Sequence, residues 1–346
     1  MATEVTCIVD TDGTQSPDYT SLAAAIAGET GASPVAVTDY DLVANDEQLT
    51  IECRATSGAA DTTQVTISGF TTDADNFVKV YVPPGHRHQG VWNTGKYRIE
   101  TSGVALTASS TAYIDINGLQ LTSQKNIGIL HAGGLTGVCR IYDCIVKGQS
   151  YNYRSGIYID RYSMTYYIFN NVIYDWNGSE GCGILRVDGN AYIYNNTVLN
   201  CVTGINGSSA IRTCIAKNNI VQDCTTCYSN SSHFDKGTTN NLSDDLTAPG
   251  DNALTEKTLT FADAASDNYA LASTDTDAIN AGVNLSSDAD LSFNTDIIGT
   301  SRPQGDYWDI GAFEYVVEGG NGSKWNTIIP AKWNGIDWSN LKWNGM

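Results

Sequence analysis

The chain of 346 residues is short of positive charge: 19 Lys and Arg stand against 38 Asp and Glu, a formal net charge of −19 at pH 7. Such a field repels phosphate backbones and anionic headgroups, so nucleic acid is not an expected partner. Long apolar runs are missing as well. Nothing in the sequence approaches the roughly 18 residues a membrane span needs, and no membrane insertion is expected. The opening 27 residues carry Glu4, Asp10, Asp12 and Asp18 where a signal peptide has a basic start and an apolar stretch, so Sec-dependent export is not expected. Strong helix-forming stretches are scarce, which excludes a helical bundle. Cysteine is present nine times but lacks the paired C-x-x-C units of a zinc site. Only Cys224-Thr-Thr-Cys227 has the local form, and it has no second half. The odd set reads as small core residues kept reduced, and neither a metal nor another cofactor is expected.

What is there is β-structure and turns. Hydrophobic residues make up 41% of the chain, which suffices for a core, beside 33 Gly and abundant Asn, Thr, Ser and Tyr. An internal repeat is visible in Ile116-Asn117-Gly118-Leu119-Gln120-Leu121, Ile141-Tyr142-Asp143-Cys144-Ile145-Val146, Ile168-Phe169-Asn170-Asn171-Val172-Ile173, Ile193-Tyr194-Asn195-Asn196-Thr197-Val198 and Ala216-Lys217-Asn218-Asn219-Ile220-Val221. Taking Asn117, Asp143, Asn170, Asn195 and Asn218 as the register gives steps of 26, 27, 25 and 23 residues, one solenoid coil per step. Each unit has an apolar position, a pair of residues tolerant of left-handed backbone, then a second short apolar strand. A further strand follows at Gly128-Ile129, Gly156–Ile159, Gly183–Leu185 and Gly204-Ile205, as a three-sided coil requires. Asn side chains stacked coil on coil can bond along the axis. Cys201 and Cys224 each lie six residues after a register Asn, so they are expected to stack at roughly 4.8 Å as a reduced pair.

Asp18–Ile26 reads as a short helix capped by Thr20 or Ser21, suited to plugging the open end of a solenoid. Strand-like runs at Leu49–Ala55, Gln64–Gly69, Phe77–Val82 and Tyr97–Glu100 read as N-terminal coils with longer loops. Asp235–Asp309 is acidic, with only Lys236, Lys257 and Arg302 as cations, and its strand signal is weak. Asp288, Asp290, Asn294 and Asp296 lack the glycine and closing Glu of a calcium loop, and His86-Arg87-His88 sits in a Pro-Pro-Gly loop, so both read as structural.

A resemblance follows from particular segments: Asp18-Tyr19-Thr20-Ser21-Leu22, Asn268-Tyr269-Ala270-Leu271, Asp277–Gly282, Gly299-Thr300-Ser301-Arg302-Pro303 and Asp309–Tyr315. These resemble the pectin-lyase-like right-handed parallel β-helix proteins, from about Tyr19 to Tyr315. The resemblance implies an all-β, single-stranded right-handed parallel β-helix and admits polysaccharide lyases, hydrolases, phage tailspikes and virion proteins. The expected divisions are a cap over 1–30, β-helix coils over 31–235, an acidic loop-rich end over 236–316 and a tail over 317–346. The tail holds Trp325, Trp333, Trp338 and Trp343, four of the chain's seven Trp. It resembles the short W-N-G repeats at the C-termini of phage structural proteins, and the four Trp are attachment candidates.

Glycan recognition needs aromatic rings and hydroxyl-binding groups on one outer face. The densest such patch offers Tyr151, Tyr153, Arg154, Tyr158, Arg161, Tyr162, Tyr166, Tyr167, Tyr174, Trp176 and Arg186. For hydrolysis two carboxylates roughly 5–10 Å apart are needed, which makes Asp160, Glu180 and Asp188 the catalytic candidates. The bland alternative has the charges pairing across coils while the tyrosines finish strands. The expected function is a phage or phage-like fibre, spike or decoration protein, assembled in the host cytoplasm and displayed on a virion surface. Its partners are then other virion proteins, a homotrimer by analogy, and polysaccharide. The alternative is a polysaccharide lyase or glycosidase on the same fold.

Overall fold

The computed structural model describes residues 2–14, 16–124, 126–131, 136–149, 155–208 and 211–316. Its core is a parallel β-solenoid of about seven turns. The first face stacks Thr3–Asp10, Glu47–Arg54, Val78–Tyr81, Tyr113–Asn117, Gly137–Tyr142, 164–169, 190–194 and Cys214–Lys217, every pair parallel. The second is a sheet of seven strands from Ile99–Thr101 to Leu242–Ser243. The third runs from Val65–Ile67 through Ile129–His131 to Thr226–Ser229. In two coils the third face passes into the first without a break, as the long strands Ser155–Phe169 and Cys182–Tyr194.

Left-handed residues make the corner between the first and second faces: Gly118, Asp143, Asn170, Asn195, Asn218 and Asn240 all have φ between 49° and 76°. Each donates its N–H to the next coil, Gly118 to Tyr142 O and Asp143 to Phe169 O at 3.2 Å. The register therefore starts at Gly118, one residue after the expected Asn117, and the first step is 143 − 118 = 25 residues. Glycine and Asn meet the same backbone demand there, and the pattern of Asn alone conceals it.

The residue after each corner points inward. Asn171, Asn196, Asn219 and Asn241 form a buried ladder in which each Nδ2 donates to the next Oδ1 at 2.9–3.0 Å. At the start of the third face Gly128, Gly156, Gly183 and Gly204 form a close-packed column, since a Cβ on any of the first three would come within 2.8 Å of the next glycine's carbonyl oxygen. Inward columns interleave large and small residues: Tyr166 lies between Cys139 and Ala191, all fully buried. Cys201 and Cys224 fall on neighbouring coils, with Thr225 N–H donating to Cys201 O, and every cysteine is a free thiol.

The expected helix is Leu22–Glu29, with Ser21 Oγ accepting the Ala24 N–H at 3.1 Å. It packs against Val65–Ile67 and the first two strands. A second, one-turn helix, Leu42–Asn45, is capped by Asp41.

Beyond Leu242–Ser243 only isolated bridges at Asp251 and Leu254 continue the coils. The antiparallel hairpin Phe261–Asp263 and Asn268–Leu271 covers the outside of the second face, with Tyr269 edge-on to Tyr174 at 5.0 Å. Residues 281–314 then run back along the corner. Asn240 Nδ2 donates to Ala281 O, Asn218 to Val283 O and Asn170 to Thr295 O, each at 2.8 Å, and Arg87 Nη2 donates to Ile297 O at 2.9 Å. The closing motif fastens this strap: Arg302, fully buried, bonds Glu314 at 3.0 Å and the carbonyls of Asp309 and Gly311. The outward Asn column is thus a docking rail for the chain's own acidic segment. Asp288 is held by Lys217 at 2.5 Å, and Asp296 accepts the N–H groups of Ile298, Thr300 and Glu314.

Candidate functional site

With the second face covered by the hairpin, the outer surface of the first face remains in part open. Outward residues there form two rows. The row nearest the corner, Tyr142, Phe169 and Tyr194, lies against the strap: Phe169 stacks on Tyr142 at 4.8 Å and meets Phe293 at 4.9 Å, and Tyr194 is buried with Trp308. The next row is Lys79, Asp115, Arg140, Tyr167, Tyr192 and Ile215, one residue from each of six successive coils.

This second row is a graded ladder. Asp115 Oδ1 bonds Arg140 Nη1 at 3.0 Å, and the guanidinium lies over the Tyr167 ring at 5.8 Å. Tyr167 stacks on Tyr192 at 5.2 Å with ring planes 18° apart. Both tyrosines are half-buried, the Arg140 side chain is 39% exposed, and Asp290 of the strap borders them. Burial raises the Asp115 carboxyl against the pull of Arg140, and raises both phenols, with Asp290 adding to the rise. The phenols therefore stay protonated donors at neutral pH. Chemically the ladder offers the edges and hydroxyls of two stacked phenol rings beside a guanidinium whose carboxylate partner, Asp115, is buried.

Of the residues singled out from sequence, Tyr151, Tyr153, Arg154, Trp325, Trp333, Trp338 and Trp343 lie outside the described residues. Others are corrected by burial. Trp176 is fully buried and donates its indole N–H to Val146 O at 3.2 Å, so it fills the core. Tyr174 is buried under the hairpin and donates to Asp267 at 3.1 Å. Arg186 is fully buried, its guanidinium donating to the carbonyls of Gly189, Gly207 and Arg212. None of these three can stack on a ligand. The aromatic density of the sequence there reflects what a wide coil needs inside and beneath its cover.

Tyr158, Asp160, Arg161 and Asp188 do come together, where the third face turns into the first. Asp160 and Asp188 are register partners on adjacent strands, and Tyr158 Oη donates to Asp160 at 3.4 Å. Beside them Tyr162 is 57% exposed and carries Arg212 over its ring at 3.3 Å. Glu180 is exposed at the opposite corner, before the strand that starts at Cys182. At about 3.3 Å per residue the extended run from Cys182 to Asp188 spans roughly 20 Å, well outside the two-carboxylate window.

Beneath this cluster His131 and Tyr166 are buried together, Tyr166 Oη and His131 Nδ1 lying 2.9 Å apart. Burial, with Arg161 adding to it, lowers the imidazole to about 4. His88 is lowered further, to about 3, by burial and then Arg87; it lies 2.9 Å from Asp143 O and accepts the Gly90 N–H. His86 lies against Ala55 O. Both rings of the His86-Arg87-His88 motif contact backbone groups.

Of the Asp115–Arg140–Tyr167–Tyr192 ladder, only Tyr167 falls in the patch chosen from sequence. A signal for it existed: each of these residues stands three before a left-handed corner, at 118, 143, 170 and 195. Projecting the repeat register onto outward positions finds them all, whereas local aromatic density finds Tyr167 alone.

No protein-family profile matches the chain, and no curated protein or solved structure does.

Proposed function

We propose that the chain is a structural, glycan-binding protein of a phage or phage-like particle, a fibre, spike or decoration protein that presents its first face to polysaccharide. The supporting observation is the half-exposed row Arg140–Tyr167–Tyr192, continued by the buried Asp115, on a solenoid whose second face is covered by its own C-terminal segment. The phenol hydroxyls and the Arg140 guanidinium, repeated coil upon coil, fit the hydroxyls of successive sugars. Other virion proteins, or further copies in a trimer, are the proposed partners at the attachment end, with the Trp-rich tail as anchor. The pectin-lyase-like resemblance of the Arg302 and Asp309–Tyr315 segments is in keeping with this reading.

Binding to a panel of neutral and acidic polysaccharides tests it. Tyr167→Ala and Tyr192→Ala are expected to weaken any binding tenfold or more, and unchanged affinity in both variants would overturn the assignment of the face. A second reading, a glycosidase or lyase, rests on the register pairing of Asp160 with Asp188. Release of reducing ends or unsaturated products, abolished by Asp160→Ala or Asp188→Ala, would establish that reading instead.

A further inference from the structure

The corner between the third and first faces holds two guanidinium groups that form no ion pair with a carboxylate among the described residues. Among the described residues, neither Arg161 nor Arg212 makes an ion pair, and the Nε of each is buried without a hydrogen-bond partner. In a chain of net charge −19, cations are few and most of the others near this surface are committed, Arg140 to Asp115 and Lys217 to Asp288. The arrangement is also built. Arg186, wholly buried, donates to Gly189 O, Gly207 O and Arg212 O, which ties the backbone at Gly207 and at Arg212 to the neighbouring coil. With its backbone so placed, Arg212 sets its guanidinium carbon 3.3 Å from the centroid of the exposed Tyr162 ring. Arg161 precedes Tyr162 on the same strand, and Asp160 and Asp188 stand beside them.

We infer that Arg161 and Arg212, the latter seated on Tyr162, form an anion subsite that takes the carboxylate or sulfate of an acidic sugar, with Asp160 and Asp188 accepting its hydroxyls. The inference rests on the glycan-binding reading of the adjoining first face and gives that reading a substrate class. A guanidinium fork bonds a planar oxyanion through two parallel N–H groups, which is the chemistry an unpaired arginine supplies. The rest of the molecule repels a polyanion, so preference for one must come from a local cation pair. Arg186 is a positioning residue here, since it is wholly buried and bonds the carbonyls of Gly189, Gly207 and Arg212.

The test compares an oligoglucuronate with its carboxyl-reduced form, and dextran sulfate with dextran, by calorimetry on the whole protein. Wild type is expected to bind the charged member of at least one pair tenfold or more tightly, the pair identifying carboxylate or sulfate. Arg161→Gln and Arg212→Gln are expected to erase that ratio, while Arg212→Lys keeps part of it. Tyr167→Ala weakens charged and neutral members alike. Thermal melts establish that the variants are folded. An unchanged ratio in both Gln variants, or equal binding of charged and neutral members by wild type, overturns the anion subsite and leaves the first-face reading standing. Absence of binding to all four polymers overturns both.

Discussion

Asn196 illustrates what a single residue does in this solenoid. Its Oδ1 accepts the Asn171 N–H and Nδ2–H, and its Nδ2 donates to Asn219 Oδ1, Ile168 O and Tyr194 O, all out of contact with water. Asn196→Ala leaves several of these groups unpaired, at about 1–3 kcal/mol each. Urea unfolding should show a loss of about 3 kcal/mol, whereas Asn200→Ala, on an exposed turn, should cost far less. The histidines give a pH signature. His131 has a folded value near 4 against an ordinary 6.5, so between those values the unfolded chain binds a proton the folded chain refuses. Stability from this residue is complete above pH 6.5 and falls as pH drops toward 4, by up to about 1.4 kcal/mol per unit. His131→Gln, which keeps an acceptor for Tyr166, should show a shallower fall between pH 6.5 and 4.5 in urea melts; an identical slope would contradict the assignment. At this scale much was legible. The Asn-Asn pairs announce a left-handed corner followed by an inward amide, because few other residues satisfy both demands. Gly118 and Leu119 perform the same two roles without the Asn signature, and the register slipped by one there.

At the scale of elements, coils and strap differ in how they are encoded. A coil repeats its neighbour's apolar positions, so period and strand location can be read from spacing, as at Val65–Ile67 and Val78–Tyr81. The strap has no period of its own. Its partners are matched one by one, Val283 with Asn218, Thr295 with Asn170 and Ile297 with Arg87, and such pairings leave no trace in local sequence. The acidic composition of 236–316 was visible, but not that it would lie over Lys147, Lys217 and Arg87. The strap depends on Arg302 and Glu314, a pair with no exposed side-chain surface. Removing one partner of such a pair strands the other charge, at about 3–5 kcal/mol. Glu314→Ala should therefore release 281–314 before the coils unfold, seen as loss of amide-exchange protection in that segment with the Asn171–Asn241 ladder still protected. Simultaneous loss in both would show that strap and coils form one cooperative unit.

For the whole molecule, the asymmetry of cover carries the functional argument. Covering the second face and the corner row leaves the half-exposed Arg140–Tyr167–Tyr192 row and the Arg161–Tyr162–Arg212 corner on neighbouring stretches of the same coils. Of the aromatic patch chosen from sequence, Trp176 and Arg186 turn inward and Tyr174 lies under the hairpin. Which side of a coil a tyrosine occupies follows from the strand's phase, and that phase is fixed only once the corner residue is known. The tail belongs to the same scale: deletion of 324–346 should abolish incorporation into particles while leaving the melting of the solenoid unchanged, and normal incorporation would remove the anchoring role.

The most direct measurement is an amide-exchange footprint of the protein with a bound oligosaccharide. The account predicts slowed exchange confined to 138–142, 160–168 and 186–194, on the open side of the first face and its adjoining corner. Protection centred instead on the second face or on the hairpin at 261–271, with those segments unchanged, would contradict it.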